Sequence, residues 1–278
     1  MRRYHIHIIL FILTVASTWL TWGPLYSVPI MLILLGHEMA HYVMSRRSGI
    51  RATLPFFLPL PFISPFGTLG AVIRMEGPIP SRRALFDTGI AGPLTSFFLS
   101  LPAVVIGLRL SKFVPTSQIQ GETIRLADPL LFSLIHYLFI REVPNNYEVI
   151  LHPIAYAGWV GLFVTALNLL PIGQLDGGHI AYALFGRKTR KVSVIVIAIT
   201  AFIFVFYSVA WFLLLILMIL FGLKHPTPLD DQTPLGTRRK FIGGMALVIL
   251  VLSFTLAPFP EVPSLIDLVN KGFPALLR

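Results

Sequence analysis

The sequence runs to 278 residues, of which 55% are hydrophobic and only 12% charged, with a mean hydropathy of +0.80 and a formal net charge of +10. A soluble globular domain has about a quarter of its residues charged, so that class is excluded. The basic excess lies in short clusters at the ends of apolar stretches rather than along one helix face, which points to a lipid bilayer and not to nucleic acid as the partner. Cysteine is absent, so there is neither a disulfide framework nor a thiolate metal site, and any metal would need histidine and carboxylate.

Apolar stretches near the ~20 residues that cross a ~30 Å hydrocarbon core recur at about 6–22, 26–44, 84–108, 151–170, 191–222 and 241–257. They predict an all-α polytopic membrane protein of about six to seven transmembrane helices, forming one domain over 1–278. The first stretch opens Met1-Arg2-Arg3 like a secretory signal, but no small-residue cleavage site follows before the apolar run at Tyr26, so it is expected to remain a helix. The second carries His37, Glu38 and His41. Basic clusters at Arg2-Arg3, Arg46-Arg47 with Arg51, Arg82-Arg83, Arg187 to Lys191 and Arg238 to Lys240 alternate with the stretches, which predicts a cytoplasmic N-terminus.

Residues 50–81 break this pattern. Pro55, Pro59, Pro61, Pro65, Pro78 and Pro80 forbid a continuous helix. The segment is nevertheless strongly apolar, and Thr68 to Arg74 reads as a strand. Irregular apolar backbone at membrane depth is tolerated only against protein or a water-filled cavity. A small membrane-associated β segment near 50–80, packed beside the functional centre, is therefore expected.

Further along, 109–150 holds Lys112, Gln118, Glu122, Arg125, Asp128, Arg141, Glu142 and Glu148 around a short apolar run at 129–140, and reads as an external, partly interfacial segment. The stretch 191–222 would make a helix ~48 Å long, too long for one crossing, so two short helices hinged near Phe206 to Val209 are predicted. Residues 223–240, with Pro226, Pro228, Asp230, Asp231 and Pro234, read as a cytoplasmic connector.

Chemistry concentrates in His37-Glu38-Met39-Ala40-His41. Histidines four apart share a helix face and can bind one divalent metal, and a glutamate beside the first can reach a water on that metal. Ionisable residues inside a span are costly and mark function, the blander alternative being a polar cluster that glues helices together. A catalytic zinc takes three protein ligands. The acidic residues in or beside a span are Asp87, Asp176 and Glu38 itself. Asp176 follows the break at Pro171 and precedes Gly177-Gly178, a pair that lets the chain fold back and that would elsewhere pass for a simple turn.

The motif at His37–His41, together with Asn168-x-x-Pro171-x-x-x-x-Asp176-Gly177, resembles the site-2 protease family of intramembrane zinc metalloproteases. Gly67-Thr68-Leu69-Gly70 and Ala91-Gly92-Pro93 support the likeness, which covers about 20–190 as the catalytic core, with C-terminal helices at about 191–257. The resemblance implies zinc held by His37, His41 and Asp176, with Glu38 as catalytic base. It implies that Asn168, Gly67 and Gly70 bind substrate, Asn168 by holding the substrate backbone or the tetrahedral intermediate, and that the Pro-rich stretch pairs with an unwound transmembrane substrate. Neither an inserted peptide-binding module nor a C-terminal nucleotide-sensing pair is visible in the sequence.

Other polar residues read more plainly. His179 is expected to be structural or to support a ligand, Asp87 to pair with Arg83 or meet a helix N-terminus, and Thr88, Gly92 and Ser96 to form a close helix contact. His5, His7, His136, His152 and His225 fall near span ends or in loops. Two rival functions remain. A prenyl-protein-processing zinc protease needs a later glutamate ligand, yet Glu76, Glu122, Glu142, Glu148 and Glu261 all lie outside confident spans. A metal transporter would show paired broken helices in corresponding halves, and no such internal symmetry is present. Oligomeric state is not legible.

Overall fold

In the computed structural model the described residues are 4–119, 125–139, 146–221 and 227–271. Arg2, Arg3, Glu122, Arg141, Glu142, His225 and Pro226 lie outside them. In chain order come α1 (Tyr4–Trp22) and α2 (Pro24–Arg47), then the short strands β1 (Arg51–Ala52), β2 (Phe56–Pro59), β3 (Thr68–Val72) and β4 (Met75–Glu76). The chain continues through α3 (Arg82–Leu110), β5 (Lys112–Pro115), α4 (Leu130–Phe139), β6 (Tyr147–Ile150) and α5 (Pro153–Leu169). It ends with α6 (Asp176–Phe185), α7 (Thr189–Phe206), α8 (Phe212–Phe221), α9 (Thr237–Ser253) and α10 (Leu265–Lys271).

Four helical stretches among the described residues are long and apolar enough to cross a membrane: Tyr4–Trp22, Pro24–Arg47, Arg82–Leu110 and Asp176–Phe206. The apolar helices α4 and α5 are shorter. Large apolar side chains such as Ile8, Ile9, Ile12 and Leu20 stand exposed on α1, as a lipid-facing helix requires. The predicted break near 206–209 is present, with α7 ending at Phe206 and α8 starting at Phe212.

The centre of the molecule is the antiparallel pair α3 and α5, with α2 against both. Small residues set the approach. A Cβ at Gly107 would strike the Ala155 backbone, one at Gly158 the Val104 backbone, and one at Gly161 the Ser100 hydroxyl. Lipid offers no hydrophobic drive between helices, so close backbone contact of this kind supplies the dispersion that holds them. Tyr26, Tyr156, Trp159 and Phe163 fill the adjoining core as successive stacked rings.

The Pro-rich segment is a long, interrupted β-hairpin. At its base Arg51 faces Glu76 and Ala52 faces Met75; higher up Phe56 faces Val72 and Phe57 faces Ala71, with an irregularity before Pro59 meets Thr68. It lies along α1. His7 Nδ1 donates to the Pro55 carbonyl near one end of that helix, and Ser17 and Trp22 donate to the Gly67 and Pro65 carbonyls near the other. Tyr156 adds a second donor to Pro65 and Tyr26 serves Phe66. The Gly67 carbonyl also accepts from Leu60 N–H across the hairpin, and side chains from three helices serve these carbonyls, which is what backbone at membrane depth demands.

At the opposite end the connector runs beside the entry to α3. Leu229 N–H donates to the Ile79 carbonyl and Asp230 N–H to Pro80, while the Asp230 carbonyl accepts from Arg82 N–H. Arg239 forms a two-pronged ion pair with Asp87, at 2.8 and 2.7 Å. This corrects the expected partner, for Arg83 instead donates to the Pro234 carbonyl.

Candidate metal centre

α2 places His37 and His41 one turn apart on its buried face, 4% and 5% exposed. Asp176 comes from the start of α6, where a negative charge meets the positive end of the helix. The expected sharp reversal at Gly177-Gly178 is not there. The chain turns earlier, between Pro171 and Leu175, with Gly173 at a φ of 46°. Gly177 and Gly178 lie inside the first turn of α6, where a Cβ would collide with the carbonyls of Leu169, Leu170, Ile172 and Gly173. They are glycines because α6 starts pressed against the end of α5, and that pressure brings Asp176 to the histidines.

The three ligand atoms form a tight triangle. His37 Nε2 and His41 Nε2 are 3.0 Å apart, and Asp176 Oδ2 lies 3.2 and 3.1 Å from them. A tetrahedral ion with ~2.0–2.1 Å bonds separates its ligands by about 3.3 Å. The tautomers agree with such an ion. His41 Nδ1 lies 2.8 Å from the Thr88 carbonyl, which only accepts, so Nδ1 holds a proton and in the neutral ring the Nε2 lone pair points into the triangle. Two ring nitrogens and a carboxylate oxygen converging at this distance must share either a proton or a metal cation, and the spacing fits the metal. Two imidazole nitrogens and one carboxylate oxygen suit a first-row transition ion far better than calcium or magnesium.

A cleft of about 180 Å³ opens onto the triangle. Glu38, Asn168, Gln174 and His179 line it, with Thr88 and Gly89 of α3 and Ala71, Val72, Ile73 and Met75 of the hairpin. Ile73 and Glu38 share the cleft wall, and Asn168 Nδ2 stands 3.3 Å from His37 Nε2. Among the described residues β3 pairs only with β2, so its other edge is free beside this cleft. The structure therefore gathers five of the seven singled-out residues, His37, Glu38, His41, Asn168 and Asp176. Gly67 is elsewhere: at a φ of 71° it packs on Thr18 and Thr21 of α1, where the hairpin tip touches that helix. Gly70, at a φ of 94°, lies on β3, one residue before the lining segment.

The sequence underrated α3. Thr88, Gly92 and Ser96 do form a close contact, but what they contact is the histidine pair of α2. The Thr88 carbonyl holds His41, a Cβ on Gly92 would overlap the His41 ring, and Ser96 Oγ meets His37 Nδ1 at 3.1 Å. Their spacing of four was the available signal, since it lays all three on one helix face.

The sequence model of Peptidase family M50 matches residues 25–211. "Probable zinc metalloprotease EGY2, chloroplastic" of Oryza sativa subsp. indica is 29% identical over 238 residues, covering 82% of this chain and 42% of that protein. "Probable zinc metalloprotease EGY1, chloroplastic" of Arabidopsis thaliana is 29% identical over 234 residues, 81% of this chain and 41% of that one. "Probable zinc metalloprotease EGY3, chloroplastic" of Oryza sativa subsp. japonica is 30% identical over 243 residues, 80% and 39%. The chain spans about two fifths of the length of these curated relatives.

Proposed function

Because this chain belongs to peptidase family M50, the site-2 protease family its motifs resemble, we propose that it is a zinc metalloendopeptidase that hydrolyses peptide bonds in or near transmembrane segments of membrane-protein substrates. One observation carries the reading: His37, His41 and Asp176 offer ligand atoms within 4.8 Å of one another, in a cleft shared with Glu38 and a free strand edge. The relatives' names specify zinc, and the donor set suits it.

Zinc, when bound, supplies Lewis acidity that lowers the pKa of a water in the open position and polarises a carbonyl. Glu38, one residue from His37 and on the cleft wall, takes the attacking water's proton and delivers it to the leaving nitrogen. Asn168 offers an amide N–H₂ to the substrate carbonyl as charge develops on its oxygen. A peptide bond inside a helix is hydrogen-bonded and hidden, so the substrate must first unwind. The free edge of β3 pairs with the extended segment and satisfies its backbone groups in the absence of water. Gly70 leaves that strand without a side chain where the substrate approaches.

In the membrane, α1, α2, α3, α5 continued by α6, α7, α8 and α9 give seven crossings, with the N-terminus, the Arg46-Arg47 end and the connector before α9 cytoplasmic. His37 is nine residues from Arg46, about 14 Å along the helix, so cleavage falls within the bilayer toward the cytoplasmic side. The test is a liposome assay of the purified chain against single-span peptides, with zinc measured in parallel. Glu38→Gln should keep its zinc and lose hydrolysis, and an undiminished rate in that variant refutes the assignment.

A further inference from the structure

The ladder of small residues between α3 and α5 becomes polar at one rung, and that rung touches a metal ligand. Ser96 Oγ lies 3.1 Å from His37 Nδ1 and 2.8 Å from Thr165 Oγ1. Thr165 Oγ1 lies 2.7 Å from the Gly161 carbonyl. Both hydroxyls belong to buried residues, at 2% and 0% exposure. The donors can be ordered from the far end. A carbonyl only accepts, so Thr165 donates to Gly161 and its oxygen is left to accept the Ser96 hydrogen; the Ser96 oxygen then accepts from His37 Nδ1–H. The ring is thereby written with its proton on Nδ1 and its lone pair on Nε2, the form that ligates a metal.

We propose that Ser96 and Thr165 are positioning residues for His37, a relay of three hydrogen bonds ending on the backbone of α5 that sets the tautomer and ring plane of this ligand. In many metal sites a carboxylate does this work by charge. Within a span a further carboxylate would need a counter-ion of its own, whereas hydroxyls passing one direction of hydrogen bonding to a carbonyl add no net charge. His41 is fixed differently, by the main-chain carbonyl of Thr88. His37 is thus the ligand whose orientation depends on side chains. The relay also ties the ligand to α5, the helix that carries Asn168 one turn beyond Thr165.

The inference rests on His37 being a ligand, and His37→Ala controls for that. The purified full chain is stripped of metal, and its zinc affinity is measured by competition with a chromogenic chelator. Cobalt(II) spectra and the unfolding midpoint of the metal-free protein are recorded alongside. Ser96→Ala should weaken zinc binding about 10–100-fold and shift the cobalt bands, whereas the metal-free midpoint should fall only as far as one lost buried hydrogen bond requires. Thr165→Val should cost less, because the Ser96 hydroxyl can turn to the carbonyls of Gly92 or Pro93, each 3.2 Å away. Thr165→Ser should restore wild-type affinity, and the Ser96→Ala/Thr165→Val pair should match Ser96→Ala alone, since the members of a relay act as one. Unchanged zinc affinity and cobalt bands in Ser96→Ala overturn the relay, as do losses that multiply in the double variant or a midpoint that falls in step with the affinity. Wild-type affinity in His37→Ala instead refutes the ligand assignment itself.

Discussion

Replacing Gly92 with alanine adds one methyl group at the point where α3 presses on the ring of His41. That methyl would sit 2.7 Å from His41 Cε1 and nearer still to Nε2, the ligand atom. Carbon contacts settle at ~3.5–4.0 Å, so the ring must retreat by about 1 Å. Metal–ligand distances tolerate only ~0.2 Å. The ring has little freedom to comply, because its Nδ1 is held at 2.8 Å by Thr88. Gly92→Ala should therefore lose one ligand of three. The loss of zinc affinity should exceed the ~100-fold upper range for disturbing a ligand's support, and hydrolysis should vanish with it. Chelator competition and zinc analysis of the purified variant measure this. Gly244→Ala on α9 is the matched control, since nothing lies within 4 Å of its Cβ. It should keep its zinc and gain about 0.5–1 kcal/mol of helix stability. Wild-type zinc affinity and turnover in Gly92→Ala would refute the placement of His41.

Asp176→Ala should leave the chain nearly free of zinc after dialysis and inactive; full zinc with full activity would break the three-ligand site. Asn168→Ala should keep its zinc and lower kcat by about 10²-fold, the scale of one lost donor to a developing oxyanion, with little change in KM. A fall in zinc content instead would make Asn168 a support for His37. Tyr26→Phe removes the donor to the Phe66 carbonyl at the hairpin tip, and should cost about 1–3 kcal/mol in reversible unfolding in detergent. An unchanged midpoint would mean that the carbonyl finds another partner.

What the sequence revealed depended on how local each feature is. Histidines at 37 and 41 converge by helix geometry alone, and proline density around 55–65 rules out helix before any partner is known. The strand at Thr68–Val72 was legible for the same reason. Features owned by two distant segments were not. Asp87 pairs with Arg239 across 152 residues, in preference to the arginine four positions away. Gly67 is a motif-like glycine in close contact with α1, a contact invisible until α1 and the hairpin lie side by side. The Thr88, Gly92 and Ser96 face reads as packing because its spacing fits any close helix pair; only the presence of α2 on that face turns packing into support for His37 and His41.

Translation delivers the hairpin before it can be fully seated. A two-stranded ribbon cannot rest alone in hydrocarbon, since its edges carry unpaired backbone groups. Ser17, Trp22 and Tyr26 precede it in the chain, but Tyr156, the second donor to Pro65, emerges only with α5. Asp176 emerges later still. A nascent chain halted before α5 therefore has its histidines in the bilayer without their carboxylate partner or a settled strand edge beside them. Synthesis order thus keeps His37, His41 and Asp176 apart until α5 and α6 have both been made.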